Sequence, residues 1–526
     1  MKALITKPLK FLRNIIKKST MKYLFSFILL TVTLLFSCTE KPDDNSITFK
    51  FIQLNDVYEI APLSAGKFGG MARVAHVRDS IKKVNPNTYL FMAGDFLNPS
   101  LLGTIKVDGN RIYGKQMIEV MNAMDFDLVT FGNHEFDLKE KDLQSRLNES
   151  TFPWMSSNAL HNTEGEAVPF VIQKEKDTVS VVDTKILTIK NESGNEVNIG
   201  FLGVTLPSND KDYVHYGGIY EEAERAYSEL MDEVDVVIGL THLTIDQDLE
   251  LLKKIPEIPI IMGGHEHNAM LVEEGNSVVA KADANAKTIY IHTLNFNTEK
   301  KELTIDSKLF HIDDKIASEP KVAAIVSKWV SILDLKIKEV IDNPNEVIFI
   351  APQPLDGTDS ASRSIQTNLG DIIAEAMAWS FDNEVDAALV NGGSIRVDDM
   401  LSASVTSMDV FRVLPFGGGI LKVEIKGSLL KEVLDFGKSK RGTGAYLQRY
   451  NISEDKSGNW TVGAKSINPN KVYTVAISDF LLKGYDIPFL TPENKNVLSV
   501  YSPAEDEKGY DIRKAIILYL KSLEKK

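Results

Sequence analysis

The sequence predicts an α/β protein of two domains joined by a helix, and three observations predict it. From residue 47 onward, short and almost wholly apolar runs alternate with amphipathic stretches, as buried strands alternate with helices. One uninterrupted helical pattern, EPKVAAIVSKWVSILDLKIKEVI at 319–341, contains no glycine and only the early Pro320. Beyond it, NLGDIIAEAMAWSF at 368–381 opens a second αβ region that runs to the end of the chain.

In chain order, residues 1–37 carry seven Lys or Arg and no acid, and residues 23–36 read YLFSFILLTVTLLF. A basic stretch before a short apolar one is the pattern of a signal peptide, for which Met21 is the more natural start. The one cysteine, Cys38, follows at once and can form no internal disulfide. Its setting resembles a bacterial lipobox, which implies lipidation at Cys38, a membrane anchor through that lipid, a tether over 38–46, and export to the periplasm or cell exterior. Later segments are too short or too polar to span a bilayer.

The first domain is expected over 47–318, with strands at 47–54, 88–94, 126–132, 197–205, 234–243 and 258–264. Helices are expected at 71–84 and 115–124. A linker helix at 319–341 leads to the second domain, 342–526.

Charge narrows the partners. The chain's net charge is −14; setting aside the seven cations of 1–37 leaves 52 of 59 Lys and Arg against 73 Asp and Glu, a balance near −21. That argues against a nucleic-acid polymer as partner, and no protein partner is implied. An anionic substrate would need local positive charge from metals or a few arginines.

Polar groups cluster where the apolar runs stop. Asp56 follows the first in QLNDVYEI, Asp95 the second in AGDFLNP, and Asn133 and His134 the third in FGNHEFD. His242 follows in THL, and His265 and His267 in GGHEH. Strand ends of an α/β sheet converge on one crevice. Carboxylate, amide and imidazole together, without thiolate, suit Mn²⁺, Zn²⁺, Co²⁺ or Fe.

These motifs, with GGMAR at 69–73, resemble the calcineurin-type metallophosphoesterases, specifically the secreted 5′-nucleotidase / UDP-sugar hydrolase family. The resemblance implies an N-terminal β-sandwich flanked by helices, a linker helix and a C-terminal α/β domain. It implies two divalent metals bridged by Asp95, one bound by Asp56 and His267, the other by Asn133, His242 and His265. His134 would donate to the phosphoryl group, oriented by Asp137, and Glu135 would be structural. The family has Asp-x-His at the first motif, where this chain has Asp56-Val57-Tyr58. Tyr58 would then be a phenolate ligand, a stand-aside beside water, or a pocket-lining aromatic.

In the second region, SASRSIQTNLGD (360–371), NGGSIR (391–396), LPFGGG (414–419) and SDFLLKGYDIPF (478–489) resemble the family's substrate motifs. They imply substrate contacts from Arg363, Asn391, Arg396, Phe416, Phe480 and Asp486, the two phenylalanines stacking on a base. Two departures stand out. Lys-Gly-Tyr-Asp replaces Gly-Gly-Asp-Gly at 483–486, and Asp359 stands where relatives carry another arginine. The expected activity is release of phosphate from nucleoside 5′-monophosphates. Hydrolysis of nucleotide diphosphates such as UDP-sugars, hydrolysis of 2′,3′-cyclic nucleotides, and a non-catalytic nucleotide-binding lipoprotein are the alternatives.

Overall fold

A computed structural model describes residues 45–64, 66–107, 109–208, 211–338, 341 and 343–524. The expected signal peptide and Cys38 lie outside these residues. Among the described residues, no helix is long and apolar enough to cross a membrane.

The first domain is two six-stranded sheets stacked face to face. One runs Glu302–His311, Thr288–Asn297, Ser46–Leu54, Thr88–Ala93, Leu128–Thr130, Trp154–Met155. The other runs Thr184–Lys190, Glu196–Leu202, Val236–Thr241, Ile260–Gly263, Ser277–Lys281, Met270–Glu274. Alternation along Ser46–Leu54 explains the stacking. Ile47, Phe49 and Phe51 point into the layer between the sheets, while Ile52 and Leu54 point to the helices outside. Phe51 meets Phe91 at 4.8 Å between ring centroids, and Phe91 stacks on Phe201 of the facing sheet at 5.1 Å. Strands buried largely on both faces are mostly apolar, which is why the polar groups at their ends stand out in the sequence.

Ser46–Leu54, Thr88–Ala93 and Leu128–Thr130 are mutually parallel neighbours, as are Val236–Thr241 and Ile260–Gly263 in the other sheet. Their C-terminal ends therefore lie together. The expected runs were right in place, and all but 47–54, which is a strand over Ser46–Leu54, were long by one to four residues; 126–132, for instance, is a strand only over Leu128–Thr130. The helices at Met71–Val84 and Lys115–Ala123 match. The antiparallel hairpin of Thr288–Asn297 and Glu302–His311 was not anticipated.

The linker helix spans Pro320–Lys338 and buries Val322, Val326, Trp329, Leu333 and Ile337, a single stripe at helical spacing. It packs on Met71–Val84 and Lys115–Ala123, and Trp329 Nε1 donates to Glu119 at 2.7 Å. The helix is thus fastened to the first domain. The second domain centres on a mixed five-stranded sheet, Leu447–Tyr450, Ala387–Asn391, Val472–Ser478, Ile420–Lys426, Val497–Tyr501. The helices Asn368–Trp379 and Ile512–Leu523 pack together on it.

Candidate active site

The strand ends converge as the spacing implied. Asp56, Asp95 and His242 are fully buried, and their ligating atoms all lie within 4.8 Å of one another. Turning the chain so sharply puts three of these residues in the left-handed region, with φ of 53° at Asp56, 57° at Asp95 and 86° at His265. Such conformations are costly for non-glycine residues and concentrate at functional sites. Two glycines permit the approach. A Cβ on Gly132 would lie 2.1 Å from Asp95 Oδ1, and one on Gly264 would lie 2.2 Å from the carbonyl oxygen of Ala93.

The side chains are held by a web of bonds. His242 Nδ1 donates to the carbonyl of Ala93 at 2.8 Å, which turns Nε2 toward the site. That Nε2 lies 3.1 Å from Asn133 Oδ1, 3.2 Å from Asp95 Oδ2 and 4.0 Å from Asp56 Oδ1. Asp56 Oδ2 accepts from Asn55 Nδ2 at 2.7 Å and from the backbone N–H of His265 at 3.0 Å. Its other oxygen, Oδ1, is buried with no hydrogen-bond partner and lies 3.5 Å from His267 Nε2.

His134 sits on a 3₁₀ turn, His134–Asp137. Its N–H donates to Asp95 Oδ1 at 2.8 Å, and its Nδ1 pairs with Asp137 Oδ2 at 2.8 Å. Asp137 Oδ2 also accepts from Asn98 Nδ2 at 2.8 Å.

Glu135 has a role that sequence left nearly blank. It is fully buried and accepts four backbone N–H bonds, from Phe96 (2.8 Å) and Leu97 (3.0 Å) on one oxygen and from Asp95 (2.9 Å) and Gly132 (2.7 Å) on the other. It ties the loop of Asp95 to the loop of Asn133. A carboxylate inside FGNHEFD was visible, but nothing in the motif pointed to its donors.

The electrostatics say what the site lacks. Burial disfavours the charged form of His134, but Asp95 and Asp137 outweigh it and lift the imidazole to about 10. Burial likewise opposes charge on His242, and Asp95 and Asp56 raise it to about 9. Burial, then the charge of His242, lowers His265 to about 4. Burial works to raise Asp95, yet the neighbouring His242 and His134 pull it well below the usual carboxylate range. Carboxylates this buried gather protons onto nearby imidazoles because the site calls for positive charge. The Asp56 Oδ1 that accepts no hydrogen bond and the hard and borderline donors around it fit divalent metal.

Tyr58 lies in this donor sphere. Its ring is 3 % exposed, and its hydroxyl is 3.2 Å from both Asp95 Oδ2 and His267 Nε2. Burial and the charges of Asp95, Asp56 and Asp398 hold the phenol neutral, well above its ordinary value.

The second domain closes on this centre. Asp398, which sequence reasoning did not single out, accepts through its carbonyl from His267 Nδ1 and sets its carboxylate 3.4 Å from His267 Nε2. A cleft of about 460 Å³ is lined on one side by Asp95, Asn133, His134, His265 and His267. Thr358, Asp359, Ser360, Arg363 and Asp398 line the other.

The expected substrate residues divide. Arg363 lines this cleft. Arg396 reaches instead to Asp137 Oδ2, at 3.4 Å, behind His134. Asn391 Nδ2 donates to Asp486 Oδ2 at 2.7 Å, so this pair comes together. Phe416 and Phe480 are 59 % and 38 % exposed, large apolar rings left open to solvent. Neither these phenylalanines nor the Asn391–Asp486 pair is among the residues lining the cleft.

Comparison with known proteins identifies both domains. Residues 49–269 match the family model described as calcineurin-like phosphoesterase, and residues 347–491 match that of the 5′-nucleotidase C-terminal domain. Bovine 5′-nucleotidase is 26% identical, over 80% of this chain and 78% of its own. A snake venom 5′-nucleotidase from Naja atra is 25% identical, over 84% and 91%. A 5′-nucleotidase precursor from Thermus thermophilus shares the fold, with a TM-score of 0.63 at 21% identity over 91% of this chain and 97% of that one. The chain belongs to the 5′-nucleotidase family, a metal-dependent phosphoesterase domain followed by the family's C-terminal domain.

Proposed function

We propose that this protein releases inorganic phosphate from nucleoside 5′-monophosphates by means of two divalent metals, outside the inner membrane. The observation that carries the proposal is the buried, unpartnered Asp56 Oδ1 facing His267, beside Asp95 and His242. Asp56 and His267 would hold one metal, Asn133, His242 and His265 the other, and Asp95 both. When bound, such a pair supplies a nucleophile at neutral pH and Lewis acidity toward the phosphoryl oxygens.

The protein's own residues do the rest. His134 points Nε2 away from Asp137, free to donate a hydrogen bond to a phosphoryl oxygen as negative charge grows there. Asp137, held by Asn98, fixes the ring and its tautomer. Arg396 adds a guanidinium on that carboxylate and so couples closure of the second domain to the position of His134. Arg363 faces the cleft to meet the anionic substrate, and Asp486, paired with Asn391, would accept ribose hydroxyls. Exposed Phe416 and Phe480 suit a nucleobase, whose π-face stacks on any aromatic ring. The basic and apolar leader with Cys38 at its end supports an exported, lipid-anchored protein.

Phosphate release from a panel of AMP, UMP, GMP, UDP-glucose and 2′,3′-cAMP, with and without Mn²⁺, tests the proposal. Metal-dependent release strongest on a 5′-monophosphate supports it. Release confined to UDP-glucose or the cyclic nucleotide overturns the substrate class.

A further inference from the structure

Lys281 is a fully buried cation that lies outside the donor set described above. It ends the strand Ser277–Lys281, which packs against the helix Ile245–Lys254. Gly263 on the neighbouring strand leaves room for its stem: a Cβ there would lie 2.9 Å from Lys281 Cε and 3.1 Å from Asp248 Oδ2. Lys281 Nζ donates to the carbonyl oxygen of Leu243 at 2.7 Å and to Glu266 Oε2, and stands 2.8 Å from Asp248 Oδ2. Glu266 Oε1 in turn accepts the backbone N–H of Ile245 at 2.6 Å, and Asp248 Oδ1 accepts from Thr241 Oγ1 at 2.7 Å.

This cluster grips the chain at 241, 243 and 245, on both sides of His242. It also grips residue 266, between His265 and His267. Attraction to carboxylates recovers little more than the hydration that burial of an ammonium removes, and an apolar side chain of similar volume would fill the space as well. What an apolar chain lacks is donors, of which an ammonium carries three. Here two of them reach separate loops, one bearing His242 and the other bearing His265 and His267. A single side chain thus fixes how far apart the two histidine loops stand.

We propose that Lys281, acting through Glu266, is a positioning residue for the metal centre. It sets the separation of His242 from His265, and with it the affinity for the metal that those two imidazoles share. This role rests on the two-metal reading above and deepens it by naming what holds the histidine loops in register. Lys281 is not among the residues lining the cleft and takes no part in bond breaking.

Calorimetric titration of Mn²⁺ into chelator-stripped protein tests the role, with electron paramagnetic resonance to tell a spin-coupled Mn²⁺ pair from a lone ion. Glu266→Ala cuts the link while Lys281 keeps Asp248 and Leu243, so the fold is spared even if Lys281→Met fails to fold. The parent should take up two Mn²⁺ and give the coupled signal. Glu266→Ala and folded Lys281→Met should weaken one site by about tenfold or more, leave the other within threefold, and give the signal of a lone ion at Mn²⁺ levels that fill both sites of the parent. Glu266→Gln, whose one amide oxygen serves Lys281 or Ile245 but not both, should fall between. In a His242→Ala background, which removes the shared metal, Glu266→Ala should alter the remaining site less than threefold. Unchanged affinities in Glu266→Ala, equal weakening of both sites, or a further loss in the His242→Ala background would overturn the role. Any of these in a parent that binds two Mn²⁺ and releases phosphate from AMP sinks Lys281 alone. A parent that binds fewer than two Mn²⁺ sinks the two-metal reading along with it.

Discussion

Glu135→Gln tests whether the site is assembled by one buried carboxylate. At pH 8 Glu135 is ionised, because burial and the charge of Asp95 lift its carboxyl only to about 7 against the pull of its backbone donors. Both oxygens are used, two N–H groups on each. An amide keeps the shape but turns one oxygen into a donor, so two backbone N–H groups lose their acceptor. Charge-assisted bonds contribute about 1.5–3 kcal/mol each, so that loss is about 3–6 kcal/mol. Against it, the neutral amide escapes both burial of a charge and repulsion by Asp95, whose net effect, the rise from 4.5 to about 7, corresponds to about 3 kcal/mol. The net expectation is a loss of ~0–3 kcal/mol, and Glu135→Ala, which abandons all four donors, should lose ~4 kcal/mol or more. Urea unfolding at pH 8 followed by circular dichroism measures both. The two loops carry Asp95 and Asn133, so metal affinity by calorimetry should fall in both variants. A Glu135→Ala protein as stable as the parent, with unchanged metal affinity, would refute the reasoning.

Three further outcomes are expected. Asp137→Asn should leave His134 in place but free to turn, lowering kcat by about 10–100-fold with KM little changed, as loss of an orienting partner does; steady-state kinetics on AMP decides it. Phe416→Ala and Phe480→Ala should each weaken nucleotide binding by about 1–3 kcal/mol if a base stacks there, while turnover of p-nitrophenyl phosphate, which has no base, stays within twofold. His292 is buried in the first domain, pairing with Gln53 Oε1 at 2.9 Å and Ser307 Oγ at 2.8 Å, and burial lowers it to about 3. The unfolded chain then takes up this proton first, so stability is complete above the ordinary value of 6.5 and falls as the pH drops toward 3, by about 2 kcal/mol at pH 5. Urea unfolding from pH 7 to pH 4 should show a shallower acid limb in His292→Gln.

Much of the centre was legible because of how the sheets are buried. The strands covered on both faces are largely apolar, so the carboxylates, amide and imidazoles of Asp56, Asp95, Asn133, His242, His265 and His267 are conspicuous where each apolar run stops. The linker helix was legible from its length and its lack of glycine. Other features depend on contacts that local pattern does not carry. Glu135 shows its role only once Asp95, Phe96, Leu97 and Gly132 turn their N–H groups toward it. Asp398 sits in VDDM, an ordinary polar loop, and its approach to His267 is made by the second domain. Arg396 was expected at the substrate, and the same motif places it against Asp137 because the paired domains bring that carboxylate closer. The hairpin at 288–311 escaped because its outer strand, Glu302–His311, buries none of its residues fully and so shows no continuous apolar run.

Everything above turns on the strand-end cluster being a metal-dependent phosphohydrolase centre. The most direct measurement is phosphate release from AMP by protein beginning at Thr39, first stripped with chelator and then reloaded with Mn²⁺, beside the same series in His134→Ala. No release is expected after stripping, with recovery on reloading and a loss of at least a hundredfold in His134→Ala that excess Mn²⁺ does not repair. Release that survives stripping, or a His134→Ala protein that matches its parent, would contradict it.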